Sequence, residues 1–325
     1  MSKSNWMLGI DIGGTNVTVA YVDTNKGVVE EHLIFLSNVD EGPEAIEADI
    51  IKAVQEIRNK AKTPPLGVGV GVAGQVDIST GTVHFAPNLH WHNVPLKEHL
   101  QKELQLPVSV LNDVRAATWG EWCYGAGQNC EDIACIFVGT GIGGGVVSGG
   151  ELLMGSSNTA AEIGHMTIDL HGRLCSCGNR GCFESISGGW AIGKRAQEAV
   201  VKDREAGTAL LNLVSGQPHA LTAKHVAQAA REGDKLAQTI IDEVTNGLIA
   251  GATCVINAFN PRRLILGGGI IYGIPELIAK VEDGVRRSAL KAAVKDLQVL
   301  KAQLPYSDAG VIGAAAFAQY TQADI

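Results

Sequence analysis

The chain has 325 residues, enough for two domains with cores of their own. Hydrophobic residues make up 46% and charged residues 18%, and 26 Lys+Arg against 34 Asp+Glu give a net charge of −8, which argues against nucleic acid as the main partner. No apolar run approaches the roughly 20 residues of a membrane span, and the N-terminus MSKSNWMLGIDIGG lacks a signal peptide's apolar core, so a cytoplasmic protein with no membrane partner is expected.

Residues 6–11 form a buried strand that ends in the turn Gly13-Gly14-Thr15-Asn16, and residues 17–23 form a second strand. Asn25-Lys26-Gly27 signals a turn before a third strand over 28–36, so the chain opens as an antiparallel meander. Ile46, Ile50, Val54 and Ile57 recur at helical spacing, predicting a helix over 43–62 with Pro43 in its first turn. A strand over 66–72, a short helix over 96–104 and a strand over 108–111 follow. A meander feeding a wound sheet is a mixed α/β layer.

The chemistry falls at strand ends. Asp11 precedes glycines whose N–H groups can approach a phosphate, and Thr15 and Asn16 add donors. A carboxylate there can hold Mg²⁺ directly or through water; the alternative is a hairpin with a capping Asp. Asp113 opens a helical stretch over 114–122, where it can act as general base or as a helix N-cap.

Residues 133–138 form a buried strand running into Gly139-Thr140-Gly141-Ile142-Gly143-Gly144-Gly145, with a second strand at Val146-Val147. Strand, glycine turn, strand repeats the plan of residues 6–22. The expectation is an internal duplication in which facing turns grip one polyphosphate; tight packing without a ligand is the alternative.

Between Glu162 and Glu184 lie Cys175, Cys177, Cys182, His165 and His171. Three thiolates and one imidazole make a structural zinc set, against the alternative of free thiols; spacing leaves open which histidine is the fourth ligand. Without an export signal, the seven cysteines read as thiols or ligands rather than disulfides. Cys135 and Cys254, in apolar stretches, read as core residues. Helices follow over 189–203, 222–232 and 235–259, then a strand over 264–266 with Gly267-Gly268-Gly269, and a closing helix over 311–319.

GIDIGGTN (9–16), GVAGQVD (71–77), LNDVRAA (111–117), VGTGIGGG (138–145), AEIGHM (161–166), CSCGNRGCFE (175–184) and LILGGG (264–269) together resemble the ROK family of repressors and sugar kinases, of the actin-like ATPase superfamily. The resemblance implies a two-lobed α/β actin-like (ribonuclease H-like) fold with duplicated mixed sheets. The small lobe would take 1–112 with the C-terminal helix (about 305–325), and the large lobe 113–304 with a zinc-binding insert at 162–184.

It also implies an ATP-dependent hexose kinase of the glucokinase type, in carbohydrate metabolism, with Asp113 as base on the sugar 6-hydroxyl. Gly74, Asn88, Asn112, Glu162, His165 and Glu184 would hold the sugar with it. Asp11, Gly13, Gly14, Thr15 and Asn16 would serve Mg²⁺ and the phosphates of ATP, as would Gly139, Thr140, Gly141 and Gly143. Gly267, Gly268 and Gly269 would lie by adenosine. His165 becomes the fourth zinc ligand with Cys175, Cys177 and Cys182, and His171 a loop residue.

The family often has Pro at Ala73 and Gly at Ala161, which leaves N-acetylmannosamine, N-acetylglucosamine and fructose as alternatives to glucose. A sugar-responsive repressor with an N-terminal helix-turn-helix is one alternative to an enzyme, against which the early first strand near Trp6 speaks; a non-catalytic sugar-sensing regulator is another, against which Asp11 and Asp113 speak. Sugar and ATP are the expected partners, with no nucleic acid, in a homodimer or homotetramer.

Overall fold

A computed structural model describes residues 5–323; residues 1–4 and 324–325, which the reading above assigns to the small lobe, lie outside the described residues. The fold is mixed α/β and forms two compact units. The first takes residues up to 131, then 149–161 and the chain from 302 on; the second takes 132–148 and 162–301.

The first unit opens on the expected meander, β1 (Trp6–Ile12), β2 (Asn16–Asp23) and β3 (Val28–Leu36). After α1 (Pro43–Lys60) comes β4 (Val68–Val72), then β5 (Gln75–Asp77), β6 (Thr82–Ala86) and β7 (Trp91–Val94). Next are α2 (Leu96–Leu104), β8 (Val108–Asn112) and α3 (Asp113–Tyr124). The main sheet runs β3-β2-β1-β4-β8, with β1, β4 and β8 parallel, while β5-β6-β7 form a small antiparallel sheet. The latter was not expected, because its strands are short and alternate poorly.

The second unit holds β9 (Ile133–Val138) and β10 (Ile142–Ser148); the two-residue β11 (Glu151–Leu152) falls in the 149–161 segment of the first. Helices α4 (Phe183–Ser187), α5 (Gly189–Lys202), α6 (Thr208–Leu213), α7 (Ala223–Arg231) and α8 (Lys235–Phe259) follow. Then come β12 (Arg263–Gly267), α9 (Gly269–Gly273), α10 (Glu276–Ser288), α11 (Lys291–Val294) and β13 (Gln298–Lys301). Here β10 pairs antiparallel with β9, and β9, β12 and β13 run parallel in that order. This repeats β2, β1, β4 and β8, so the duplication read from two glycine turns extends to the pairing of whole sheets.

By length and composition α8 could cross a membrane, but Ile240, Val244, Leu248, Ala252 and Val255 bury one face of it, and α4, α7 and α10 pack on it. Cys254 is exposed rather than in the core, because it lies off that stripe. Cys135, on β9, is buried as expected.

The last helix, α12 (Ala309–Ala323), returns to the first unit and crosses β1 and β4 at glycines. A Cβ at Gly9 would stand 2.0 Å from the Val311 oxygen, and one at Gly69 would stand 1.8 Å from that of Ala314. On its other side α12 meets α3, where a Cβ at Gly313 would lie 1.7 Å from the Ala116 oxygen. The helix backbone therefore rests directly on the sheet and on α3. This is why the division falls after residue 131 rather than after 112: α3 packs on α12 and belongs with the first unit.

Two α3 side chains fasten the rest of the unit. Buried Arg115 donates to the carbonyl oxygens of Asn158 and Ala160. Buried Glu121 accepts from the backbone N–H groups of Ala126 (2.8 Å), Gln303 (3.1 Å) and Leu304 (2.8 Å). Glu121→Ala would leave three backbone donors, two of them buried, without an acceptor and is expected to lower stability by about 3 kcal/mol. Glu121→Gln, which keeps one acceptor, should cost less. Urea denaturation of both variants checks the ranking.

Candidate active site

In the first unit the turn between β1 and β2 carries Gly13, Gly14 and Thr15. Its Gly13 N–H is spent on the Asn16 oxygen at 3.0 Å. Two of its carbonyls are held by one residue: Ser37, almost fully buried just past the end of β3, donates its hydroxyl to Gly13 (2.5 Å) and its N–H to Thr15 (3.0 Å). Among the described residues no acceptor is found for the N–H groups of Gly14 and Thr15. A turn whose carbonyls are occupied and whose N–H groups are open is a nest for an anion. Asn16 is exposed as the first residue of β2. Gly14 packs against Asn88, whose Cβ would be 2.9 Å from one added at Gly14.

Asp11 sits near the end of β1, paired across the sheet with Thr18 and Gly71. Its carboxylate lies against Gly310 at the start of α12. Burial and the neighbouring Asp113 charge raise its pKa to about 7. Asp113 follows β8 as the first residue of α3. It is not the helix cap. Asn112 does that work, its side-chain oxygen accepting from the N–H groups of Val114 (3.1 Å) and Arg115 (3.2 Å). The Asn112 amide also donates to the Gly74 oxygen at 3.2 Å, so its oxygen is committed to the fold and one N–H remains for a ligand. Of the first-unit residues named from the sequence, three pairs stand against one another: Asp11 with Asp113, Asn112 with Gly74, and Gly14 with Asn88.

In the second unit the equivalent turn lies between β9 and β10. Gly139 donates to the Gly141 oxygen (2.9 Å), Gly189 to the Gly139 oxygen (3.0 Å) and Trp190 to the Thr140 oxygen (2.8 Å). All three carbonyls are taken, and no acceptor is found among the described residues for the N–H groups of Thr140 and Gly141. Gly143 lies inside β10, which begins four residues earlier than expected; Gly144 there gives room for Ile163. Gly268, at φ 89°, stands against Val138 at the end of β9, and Gly269 is exposed at the start of α9.

Glu162 accepts through its backbone oxygen from the N–H of His165 (3.1 Å), closing a helical turn over Ile163–His165. Ala161, just before it, adopts φ 60°, a left-handed conformation that costs an L-residue about 1–2 kcal/mol. His165, Cys175, Cys177 and Cys182 place their ligand atoms within 4.8 Å of one another. Cys175 Sγ is 3.8 Å from His165 Nδ1, and Cys177 Sγ is 3.7 Å from Cys182 Sγ. Tetrahedral ligands on Zn–S bonds of about 2.3 Å stand about 3.8 Å apart, so the donor set fits Zn²⁺. An Asn179 N–H lowers the pKa of Cys177, whereas burial raises that of Cys182, so full ionisation calls for a cation at the cluster. Nδ1 on the cluster side leaves His165 Nε2 for another partner. His171 is exposed and outside the cluster, its N–H on Asp169.

The loop is nailed down just past Cys182. Phe183 is fully buried against Gly251 of α8, and the Ser187 hydroxyl donates to Val244. Glu184 lies between them with both oxygens engaged: Oε2 accepts from the Ile142 N–H (2.9 Å) and Oε1 from Trp190 Nε1 (3.1 Å). Sequence reasoning named Glu184 as a sugar contact and missed its hold on the glycine turn. It also missed Ser37, Gly189 and Trp190, which belong to no motif.

A family profile described as ROK family matches residues 7–321. A glucokinase of Streptomyces coelicolor is 34% identical over 313 residues, covering 96% of this chain and 97% of that protein. A glucokinase of Thermotoga maritima is 34% identical over 310 residues, covering 95% and 96%. Among solved structures, a ROK family glucokinase from Streptomyces griseus in complex with glucose and AMPPNP has a TM-score of 0.83 and 35% identity, covering 97% of this chain and 99% of that one.

Elemental analysis of protein purified without chelator should find about one zinc per chain, and Cys177→Ser should lower both zinc content and thermal midpoint; no zinc in the wild type would contradict the cluster's assignment. Asp11 gives a second test. Its native pKa of about 7 exceeds the ordinary 3.8, so the native state keeps a proton that the unfolded chain has lost between those values. That stability is complete below the lower value and declines as pH rises through the upper one. Asp11→Asn does not titrate there. In Mg²⁺-free urea melts, wild-type stability should therefore fall relative to the variant as pH rises towards 7; a constant difference would contradict the assignment.

Proposed function

The chain belongs to the ROK family, and on that footing we propose that it transfers the γ-phosphoryl group of ATP to a hexose hydroxyl, with glucose as acceptor. The observation that carries the reading is a pair of neighbouring carboxylates, Asp11 near the end of β1 and Asp113 at the start of α3, whose charges act on each other. Asn112 rather than Asp113 caps α3, and Asp113 stands at the helix start beside the Asp11 carboxylate. The 34% identity to glucokinases over nearly the whole chain supports the donor and the acceptor class.

Phosphoryl transfer asks for positioning and charge neutralisation more than covalent help from the protein. In the proposed reaction Asp113 accepts the proton of the sugar hydroxyl, the sugar oxygen attacks the γ-phosphorus, and the bond to the bridging oxygen breaks as ADP leaves. Glu162 and Glu184 accept hydrogen bonds from other hydroxyls. His165 offers Nε2, Asn112 its remaining N–H, and Asn88 and Gly74 complete the acceptor side. The N–H groups of Gly14 and Thr15, and of Thr140 and Gly141, receive phosphate oxygens. Asn16 and Gly143 flank those donors, and Gly267, Gly268 and Gly269 lie by adenosine. A carboxylate raised to about 7 by burial and a like charge fits a divalent cation, so Asp11 would hold Mg²⁺, which supplies charge neutralisation to the phosphates. The zinc cluster does no chemistry in this scheme; it holds His165 and Glu184.

Two measurements test the proposal. A coupled ADP-release assay across hexoses should give the highest kcat/KM with glucose, above N-acetylmannosamine, N-acetylglucosamine and fructose. Another sugar in first place would overturn the acceptor, and no ADP release with any would overturn the reaction. Asp113→Asn should lower kcat about 10²–10⁴-fold while glucose binding persists, and full turnover in that variant would remove Asp113 as base.

A further inference from the structure

Trp190 touches the second glycine turn by two routes. Its backbone N–H donates to the Thr140 oxygen at 2.8 Å. Its indole Nε1–H donates to Glu184 Oε1 at 3.1 Å, and Glu184 Oε2 in turn accepts from the N–H of Ile142, where the turn leaves into β10, at 2.9 Å. The carboxylate sits so tightly on the turn that a Cβ at Gly141 would lie 2.2 Å from Oε2. The backbone route occupies a carbonyl; the indole route keeps the carboxylate against Ile142. Between them stand the two N–H groups, Thr140 and Gly141, for which no acceptor is found among the described residues.

We infer that Trp190 is a positioning residue for the nucleoside triphosphate, acting through Glu184 to hold the 139–141 turn in its phosphate-receiving form. The inference rests on the ATP-dependent reading and adds a residue outside both sets of ligand contacts. Without the indole N–H, Glu184 Oε1 loses a charge-assisted hydrogen bond. The carboxylate is then free to leave Ile142, and the turn loses the side chain that braces its exit. A phosphate must then order the turn as it binds, which weakens affinity without touching any group that contacts the phosphate. The same carboxylate is a proposed sugar ligand, so one residue near the zinc loop would serve both substrates.

Trp190→Phe removes the indole donor and keeps the aromatic bulk and the backbone N–H. Calorimetric titration of the full chain with a non-hydrolysable ATP analogue and Mg²⁺, and separately with glucose, reads the effect. The analogue should bind about tenfold more weakly to the variant, glucose affinity should fall by less than that, and zinc content and thermal midpoint should stay unchanged. Equal analogue affinity in variant and wild type would overturn the inference and leave the kinase reading standing. So would a lowered midpoint with both ligands weakened together, the mark of a merely structural tryptophan. A wild type that binds no analogue at all would overturn the reading and the inference together.

Discussion

A backbone turn can receive an anion only if its carbonyl oxygens are held elsewhere, because each peptide offers an acceptor as readily as a donor. Carbonyls are taken up in both glycine turns of this chain, two at residues 13–15 and three at 139–141, by different means. At residues 13–15 one buried serine, Ser37, takes the carbonyls of Gly13 and Thr15. At 139–141 the first two residues of α5 take two carbonyls, and the turn closes on itself for the third. The outcome is the same pair of N–H groups in each copy of a duplicated sheet. The glycines make the close approaches possible, while neighbours from elsewhere in the chain decide the turn's polarity.

The carboxylates obey a similar division of labour. Asn112 and Asp113 are adjacent and either could cap α3; the extended backbone of Asn112 (φ −66°, ψ 143°) puts the amide in the capping position. Asp113 then lies at the positive end of a helix that is itself fixed by α12 and anchored through Arg115 and Glu121. In the second unit Phe183, packed on Gly251, and Ser187, donating to Val244, pin the loop on either side of Glu184, next to the Cys/His cluster. Each carboxylate of the proposed site is thus carried on a stretch that other side chains hold in place.

Much of this was legible in the sequence, for identifiable reasons. β1, β2, β3, α1 and α8 carry long alternating or helical apolar patterns, and their observed bounds lie close to those read from spacing. The glycine turns lie in consecutive residues, and the Cys/His residues that the structure clusters, His165, Cys175, Cys177 and Cys182, lie within one short stretch. What escaped was either too short or too distant. Strands β5, β6 and β7 have three to five residues each, too few for a period to show. Helix α10 went unassigned although Leu277, Val281 and Val285 stand at helical spacing and are buried. Ser37 acts across 24 residues and Glu184 across 42, and no local pattern marks such pairings. Ala161 shows the converse: its departure from the family glycine was visible, but only the backbone reveals that it falls at positive φ.

The central claim is that the two turns receive phosphate through four particular backbone N–H groups. Residue-resolved amide hydrogen exchange, with and without a non-hydrolysable ATP analogue and Mg²⁺, reads those groups directly. The amides of Gly14, Thr15, Thr140 and Gly141 should exchange fast in the free protein and slow when the analogue binds, while those of Gly13 and Ile142, already paired, should change little. Analogue binding that leaves the four amides unprotected would contradict the account.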